Sequence, residues 1–190
     1  WGFDPIRLDS YSGRFSVHLD STWVLSAGYG FLKSPDALEP GESVHRMTAS
    51  ILNGRRIGAG GQLATALVWG ANRHAGKTEH TALLEAEAIT GRNTMYGRVE
   101  LAQKSSDDLA LSTLAPNTWH DITAFSLGYI RDVMRTRGAT FGLGVQGTLN
   151  HVPSTLETFY GSQTPVGGLV FVRLRPVHGP HSSQPMSEHH

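Results

Sequence analysis

Residues 21–35 read STWVLSAGYGFLKSP. Every second residue from Trp23 gives Trp23, Leu25, Ala27, Tyr29 and Phe31, an apolar row with aromatic rings at both ends. The residues between are Thr22, Val24, Ser26, Gly28 and Gly30, a small and mostly polar row. Period-two alternation of this kind is the mark of a β-strand with two unlike environments on its faces. The pattern recurs in both directions along the chain. Upstream, over residues 7–18, Tyr11, Gly13, Phe15 and Val17 oppose Ser12, Arg14, Ser16 and His18. Downstream, over 44–52, Met47, Ala49 and Ile51 oppose Arg46, Thr48 and Ser50.

Six further runs follow the same rule: 62–72, 80–90, 94–103, 122–131, 139–150 and 166–175. Helical spacing of apolar residues is nowhere sustained. The strands predicted in this way are about ten residues long, where strands of soluble proteins average about 5–6. Short turns near 19–21, at NGRRIGAGG, at TGRN and near 132–138 alternate with longer connections at KSPDALEPGES, at RHAGKTE, over 104–120 (the longest) and at HVPSTLETFYGSQTP.

Long strands, alternating faces, and short turns at one end with long loops at the other predict an all-β, antiparallel, up-and-down transmembrane β-barrel. About 9–11 tilted residues cross a bilayer. The apolar row then meets lipid, the small polar row lines the lumen, and Trp23, Tyr29, Phe31, Trp69, Phe125 and Tyr129 mark the two lipid–water interfaces. The alternative is a soluble β-barrel binding protein, with the apolar row inside and the polar row outside. Strand length, loop asymmetry and the ionisable residues Arg14, Arg46, Glu85, Glu87, Arg98 and Glu100 on the minority faces favour a wet lumen.

Bulk composition agrees with this reading. Charged residues make up 17% of the chain, below the roughly 25% usual for soluble domains. There are 22 glycines, against about 13 for an average chain of this length. Lys plus Arg and Asp plus Glu are equal at 16 each, so no basic excess points to nucleic acid. Cysteine is absent, which excludes a disulfide framework and thiolate metal sites. No apolar run approaches the roughly 18 residues of a membrane-spanning helix. The chain begins at Trp1 without a signal peptide, so an exported protein is expected to carry its signal upstream.

The strand count sharpens the expectation. Bacterial outer-membrane barrels have an even number of strands with both ends in the periplasm. Nine strands, the first running inward, predict an N-terminally truncated barrel that lacks an odd number of strands upstream. The segments FDPIRLDSYSGRFS, WVLSAGYGFLKSPDALEP, VHRMTAS, LVWGANR, GRNTMYGRVE, LGYIRD and HVPSTLETFYG resemble the C-terminal half of a family of uncharacterised bacterial outer-membrane β-barrel proteins. The resemblance extends to about Pro176. It implies an outer-membrane location, larger relatives with further strands and, more faintly, an association with copper handling; it implies no activity or catalytic residue. Such barrels end at the last strand with an aromatic residue, whereas this chain continues with PVHGPHSSQPMSEHH. The expected division is a barrel portion over 1–176 and a flexible His/Met tail over 177–190.

Three groups of residues could carry chemistry. Glu85 and Glu87 share a face, as do Arg98 and Glu100 on the strand joined to theirs by TGRN. They predict a lumenal charge cluster near the periplasmic end, either a selectivity constriction or an ion-pair network in a closed lumen. In the tail, His178, His181, His189 and His190 with Met186 offer imidazole and thioether ligands that suit copper; a solvated extension is the plainer reading. Asn150, His151, Ser154 and Glu157 resemble only loosely the Ser–His arrangement of outer-membrane lipid hydrolases, because Pro153 lies between the Ser and the His. His18, His45, His74, His80 and His120 are expected at rim or solvent positions. The leading expectation is a non-enzymatic barrel without cofactor. Its partners are outer-membrane lipid and small solutes or copper ions, and its role is that of a passive channel or uptake barrel. A copper-linked envelope protein and a lipid hydrolase are the alternatives.

Overall fold

A computed structural model describes residues 9–34, 41–74, 76–111, 113–115 and 118–176. They form one nine-stranded sheet: β1 (Tyr11–His18), β2 (Trp23–Lys33), β3 (Ser43–Ile57), β4 (Gly61–His74), β5 (Lys77–Thr90), β6 (Asn93–Ser105), β7 (Trp119–Arg135), β8 (Ala139–His151) and β9 (Val166–Pro176). The strands lie in sequence order and every neighbouring pair is antiparallel. Between β8 and β9 a 3₁₀ turn (Ser154–Leu156) runs into one helical turn, α1 (Glu157–Tyr160), which ends at Gly161 in the left-handed conformation that suits glycine.

The sheet is open, with β1 and β9 as its edges. This departs from a closed barrel, and strand direction supplies the reason. Eight antiparallel steps leave β1 and β9 pointing the same way, so the two edges cannot pair with each other in the antiparallel mode used everywhere else.

Register carries the face assignment across all nine strands. Phe15 lies opposite Ala27, Ala27 opposite Ala49, Ala49 opposite Trp69 and Trp69 opposite Ala82. Leu84 lies opposite Val99, Val99 opposite Phe125, Phe125 opposite Leu149 and Leu149 opposite Val166. One face of the sheet is thus apolar from edge to edge. It is also exposed: Phe15 at 71%, Leu67 at 48%, Leu84, Leu127 and Val145 at 52%. Among the described residues the buried apolar side chains are only Ala71, Ile130, Val152 and Leu156. Val152 and Leu156 sit in the β8–β9 connection and not in the sheet.

Strands are longer than the alternation indicated. β4 and β5 continue through the polar segment Arg73–Glu79, where Arg73 lies opposite Thr78 and His74 opposite Lys77. The segment RHAGKTE, expected as a long loop, is thus mostly strand: β4 runs to His74 and β5 begins at Lys77. Cross-strand backbone bonding outweighs the hydrophilic character that suggested a loop. Long connections do occur at the same end, over 34–42, 106–118 and 152–165. The last of these, not the β6–β7 connection, is the longest. In β7, Val133 is an extra residue between the pairs Asp132–Gly142 and Met134–Phe141. A bulge of this kind bends the strand and re-aims the side chains beyond it.

Candidate functional site on the polar face

The second face carries the small and charged side chains, and the sheet curls toward it. Adjacent strands lie about 4.8 Å apart, so β6 and β9 would be about 14 Å apart in a flat sheet. Yet Arg173 Nη2 on β9 donates to Thr94 Oγ1 on β6 at 3.2 Å. Tyr96 on β6 likewise reaches Gln146 on β8, its hydroxyl donating to Oε1 at 2.8 Å. At the loop end the His74 ring on β4 lies 6.4 Å from the Trp119 ring on β7, centroid to centroid. Contacts that skip one or two strands place the polar face on the inside of the curl.

Glycine makes room for these reaching side chains. Tyr96 lies across Gly128, and a Cβ there would run into its ring. Phe171 covers Gly144 in the same way. Gly128 and Gly144 thus act as flat seats for aromatic rings on the inner surface.

The inner charges fall into groups. Asp132, 3% exposed, accepts from Arg173 Nη2 at 3.1 Å, from Arg175 Nη2 at 3.2 Å and from Arg135 Nη2 at 3.5 Å. Three guanidinium groups from the ends of β7 and β9 therefore surround one buried carboxylate. In mid-strand, Arg98 Nη2 meets Glu100 Oε2 at 2.7 Å and Arg98 Nη1 meets Glu85 Oε2 at 3.8 Å. Three of the four expected cluster residues come together. Their side chains are roughly one-third to one-half exposed, and they lie at mid-strand rather than beside the β5–β6 turn. Glu87 stands apart opposite Tyr96 and lines a separate groove with Arg56 and Gln62.

Near the loop end, Glu79 is buried, with its Oε1 3.7 Å from His74 Nε2. That oxygen has no hydrogen-bond partner among the described residues. His74 Nδ1 also faces Glu42 Oε2 at 3.4 Å. His120 is 2% exposed, held by Ser106 Oγ at 3.1 Å from Nε2 and by Thr155 Oγ1 at 3.3 Å from Nδ1. These bonds tie the β6–β7 connection to the β8–β9 connection. His74 and His120 lie at strand ends, a rim position as expected, but neither is open to solvent: Glu42 faces His74, and Thr155 of the β8–β9 connection reaches His120. The Ser–His pair actually formed is thus Ser106–His120. It is sealed from solvent, and Ser106 is 1% exposed. Ser154 and His151 are both exposed and share no hydrogen bond; Glu157 accepts from Gln163 instead.

The aromatic residues of the apolar face form clusters toward the loop end. Tyr11 stacks on Phe31 at 5.5 Å, Phe31 packs edge-on to His45 at 5.2 Å, and the Tyr29 hydroxyl lies 2.7 Å from His45 Nδ1. Trp69 stacks on His80 at 5.9 Å. Toward the turn end, Trp23 opens β2, while Tyr129 Oη and Arg131 Nη1 both donate to Asn93 Oδ1, at 2.6 and 2.8 Å. Phe125 lies within the apolar rows between Val99 and Leu149.

His178, His181, Met186, His189 and His190 lie outside the described residues. Among the described residues, no group of three or more His, Asp or Glu is arranged to hold a metal ion. No described helix is long and apolar enough to cross a membrane, which bears only on helices. Compared with protein-family models, with curated proteins and with solved structures, the chain matches none of them.

Proposed function

We propose that this sheet is part of an outer-membrane β-barrel, its convex apolar face against lipid and its concave polar face lining a path for small hydrophilic solutes. One observation carries the reading: the sheet curls toward its charged face and leaves its apolar face outside. A soluble barrel or sandwich needs the opposite arrangement, because apolar burial is its main source of stability. Here an edge-to-edge apolar surface lies open, far more than a water-exposed domain ordinarily leaves uncovered. The aromatic clusters at the end of that surface suit a lipid–water interface, where rings with a polar tip settle. The reading includes no catalytic step, and the His/Met tail has no part in it.

Reconstitution into a planar lipid bilayer tests the proposal. Discrete single-channel steps are expected from the inserted protein. A protein that inserts into vesicles and remains silent at every voltage contradicts the channel role and leaves a structural barrel.

A further inference from the structure

The protein is neutral overall, yet its sheet is divided. Strands β1 to β4 contain Arg14, Lys33, Arg46, Arg55, Arg56 and Arg73 and not one Asp or Glu. The carboxylates of β5 and β6, Glu79, Glu85, Glu87 and Glu100, lie on the other side of that boundary. On the polar face of β1 to β3 a groove of about 500 Å³ is lined by Arg14 and Arg46, by Ser12, Ser26, Thr48 and Ser50, and by the apolar side chains of Leu32, Leu52 and Val68. Among the described residues no carboxylate lines it. Arg46 Nε donates to the neutral Asn72 Oδ1 at 2.9 Å, which orients the guanidinium without cancelling its charge. Among the described residues neither arginine has an ion-pair partner. The groove is kept open by glycine: a Cβ at Gly28 would stand 2.7 Å from Thr48 Oγ1, and one at Gly30 would stand 3.3 Å from Ser12 Cβ.

Two guanidinium forks with hydroxyl groups beside them, and no carboxylate among the described lining residues, match a tetrahedral or carboxylate oxyanion. We infer that this groove binds small anionic solutes of the phosphate or carboxylate class. The inference rests on the polar face being a solute path and names the class of solute that the path favours. The groove opens on the polar face, so a dissolved anion is its ligand rather than the headgroup of a bilayer lipid.

Inorganic phosphate is the probe. The full chain, folded in detergent micelles, is titrated with phosphate while amide and guanidinium nitrogen resonances are followed. Saturable shifts are expected at Ser12, Ser26, Gly28 and Thr48 and at the side chains of Arg14 and Arg46. The paired substitutions Arg14→Gln and Arg46→Gln should weaken apparent affinity at least tenfold, whereas Arg98→Gln should leave it unchanged. Shifts scattered over the protein, or shifts that survive the double substitution, overturn the inference. If the double variant fails to fold, the Arg14 and Arg46 side-chain resonances of the parent decide the matter: saturable shifts there support the groove, and their absence overturns it. Binding is read without a bilayer. A chain that binds phosphate but conducts no ions sinks the channel alone; a chain that conducts but shows no localised shifts sinks the groove alone.

Discussion

Arg173 and Thr94, 79 residues apart in sequence, share a hydrogen bond of 3.2 Å across two intervening strands. The same guanidinium holds Asp132 at 3.1 Å. A side chain that bridges β9 to β6 and β7 pins the curl of the sheet, and Asp132 is the anchor. Replacing Asp132 by Ala leaves three guanidinium groups facing one another without their anion. Removal of one partner from a buried charge network costs about 3–5 kcal/mol. Urea unfolding of the detergent-folded protein should show a loss of that size for Asp132→Ala and a smaller one for the half-exposed Arg175→Ala. Equal, small losses would mean that the cluster does not hold the curl.

The seats beneath Tyr96 and Phe171 make a second prediction. Gly128→Ala places a methyl group where the Tyr96 ring lies. The ring must leave, and its bond to Gln146 is lost. Overpacking of this kind costs about 1–3 kcal/mol. Adding Tyr96→Ala should cancel most of the clash, so the double variant should be less destabilised than the sum of the two single changes. Simple additivity in that cycle would show that Tyr96 does not occupy the glycine seat.

Asp20 governs the β1–β2 turn. Its carboxylate accepts from the Thr22 hydroxyl at 2.7 Å, from the Thr22 amide at 2.6 Å and from the Trp23 amide at 2.9 Å. Those bonds, the hydroxyl first, favour the ionised form and hold its pKa below the ordinary carboxylate value. The turn's contribution is therefore complete above the unfolded-state pKa and is lost as pH falls through the lower, folded-state one. Hydrogen exchange at Thr22 and Trp23 should quicken over that acidic window, after allowance for the intrinsic pH dependence. Asp20→Asn should show no such step. A step retained in that variant would assign it to another group.

Much of the architecture is legible in the residues themselves. The alternation from Trp23 to Phe31 identifies β2 and its two faces, and the four-residue TGRN turn sets Glu85 opposite Arg98. What escapes a linear reading is what depends on curl and on register far along the chain. Asp132 meets Arg173 because both lie in register with Gly142, whose missing side chain leaves the space between them open, and because the sheet curls toward that face. His120 is buried by Ser106 and by Thr155 of a different connection, and nothing around His120 in sequence announces either. The β4–β5 hairpin is hidden because Arg73–Glu79 is polar, and polarity alone does not separate a loop from a strand that extends beyond an apolar band. The sequence signal for the anion groove is the complete absence of Asp and Glu from β1 to β4.

The central claim is that the exposed apolar face meets lipid, and Leu84→Arg tests it most directly. Leu84 lies opposite Leu67 and Val99 on that face and is 52% exposed. At an exposed site in water such a substitution changes stability by no more than about 0.5 kcal/mol. Facing hydrocarbon near mid-bilayer, an arginine costs about 2–4 kcal/mol. Folding into lipid vesicles, measured by reversible denaturant titration of the parent and the variant, should show a loss in the larger range. A variant as stable as the parent, with neither protein associating with the vesicles, would contradict the account and place the apolar face against something other than a membrane.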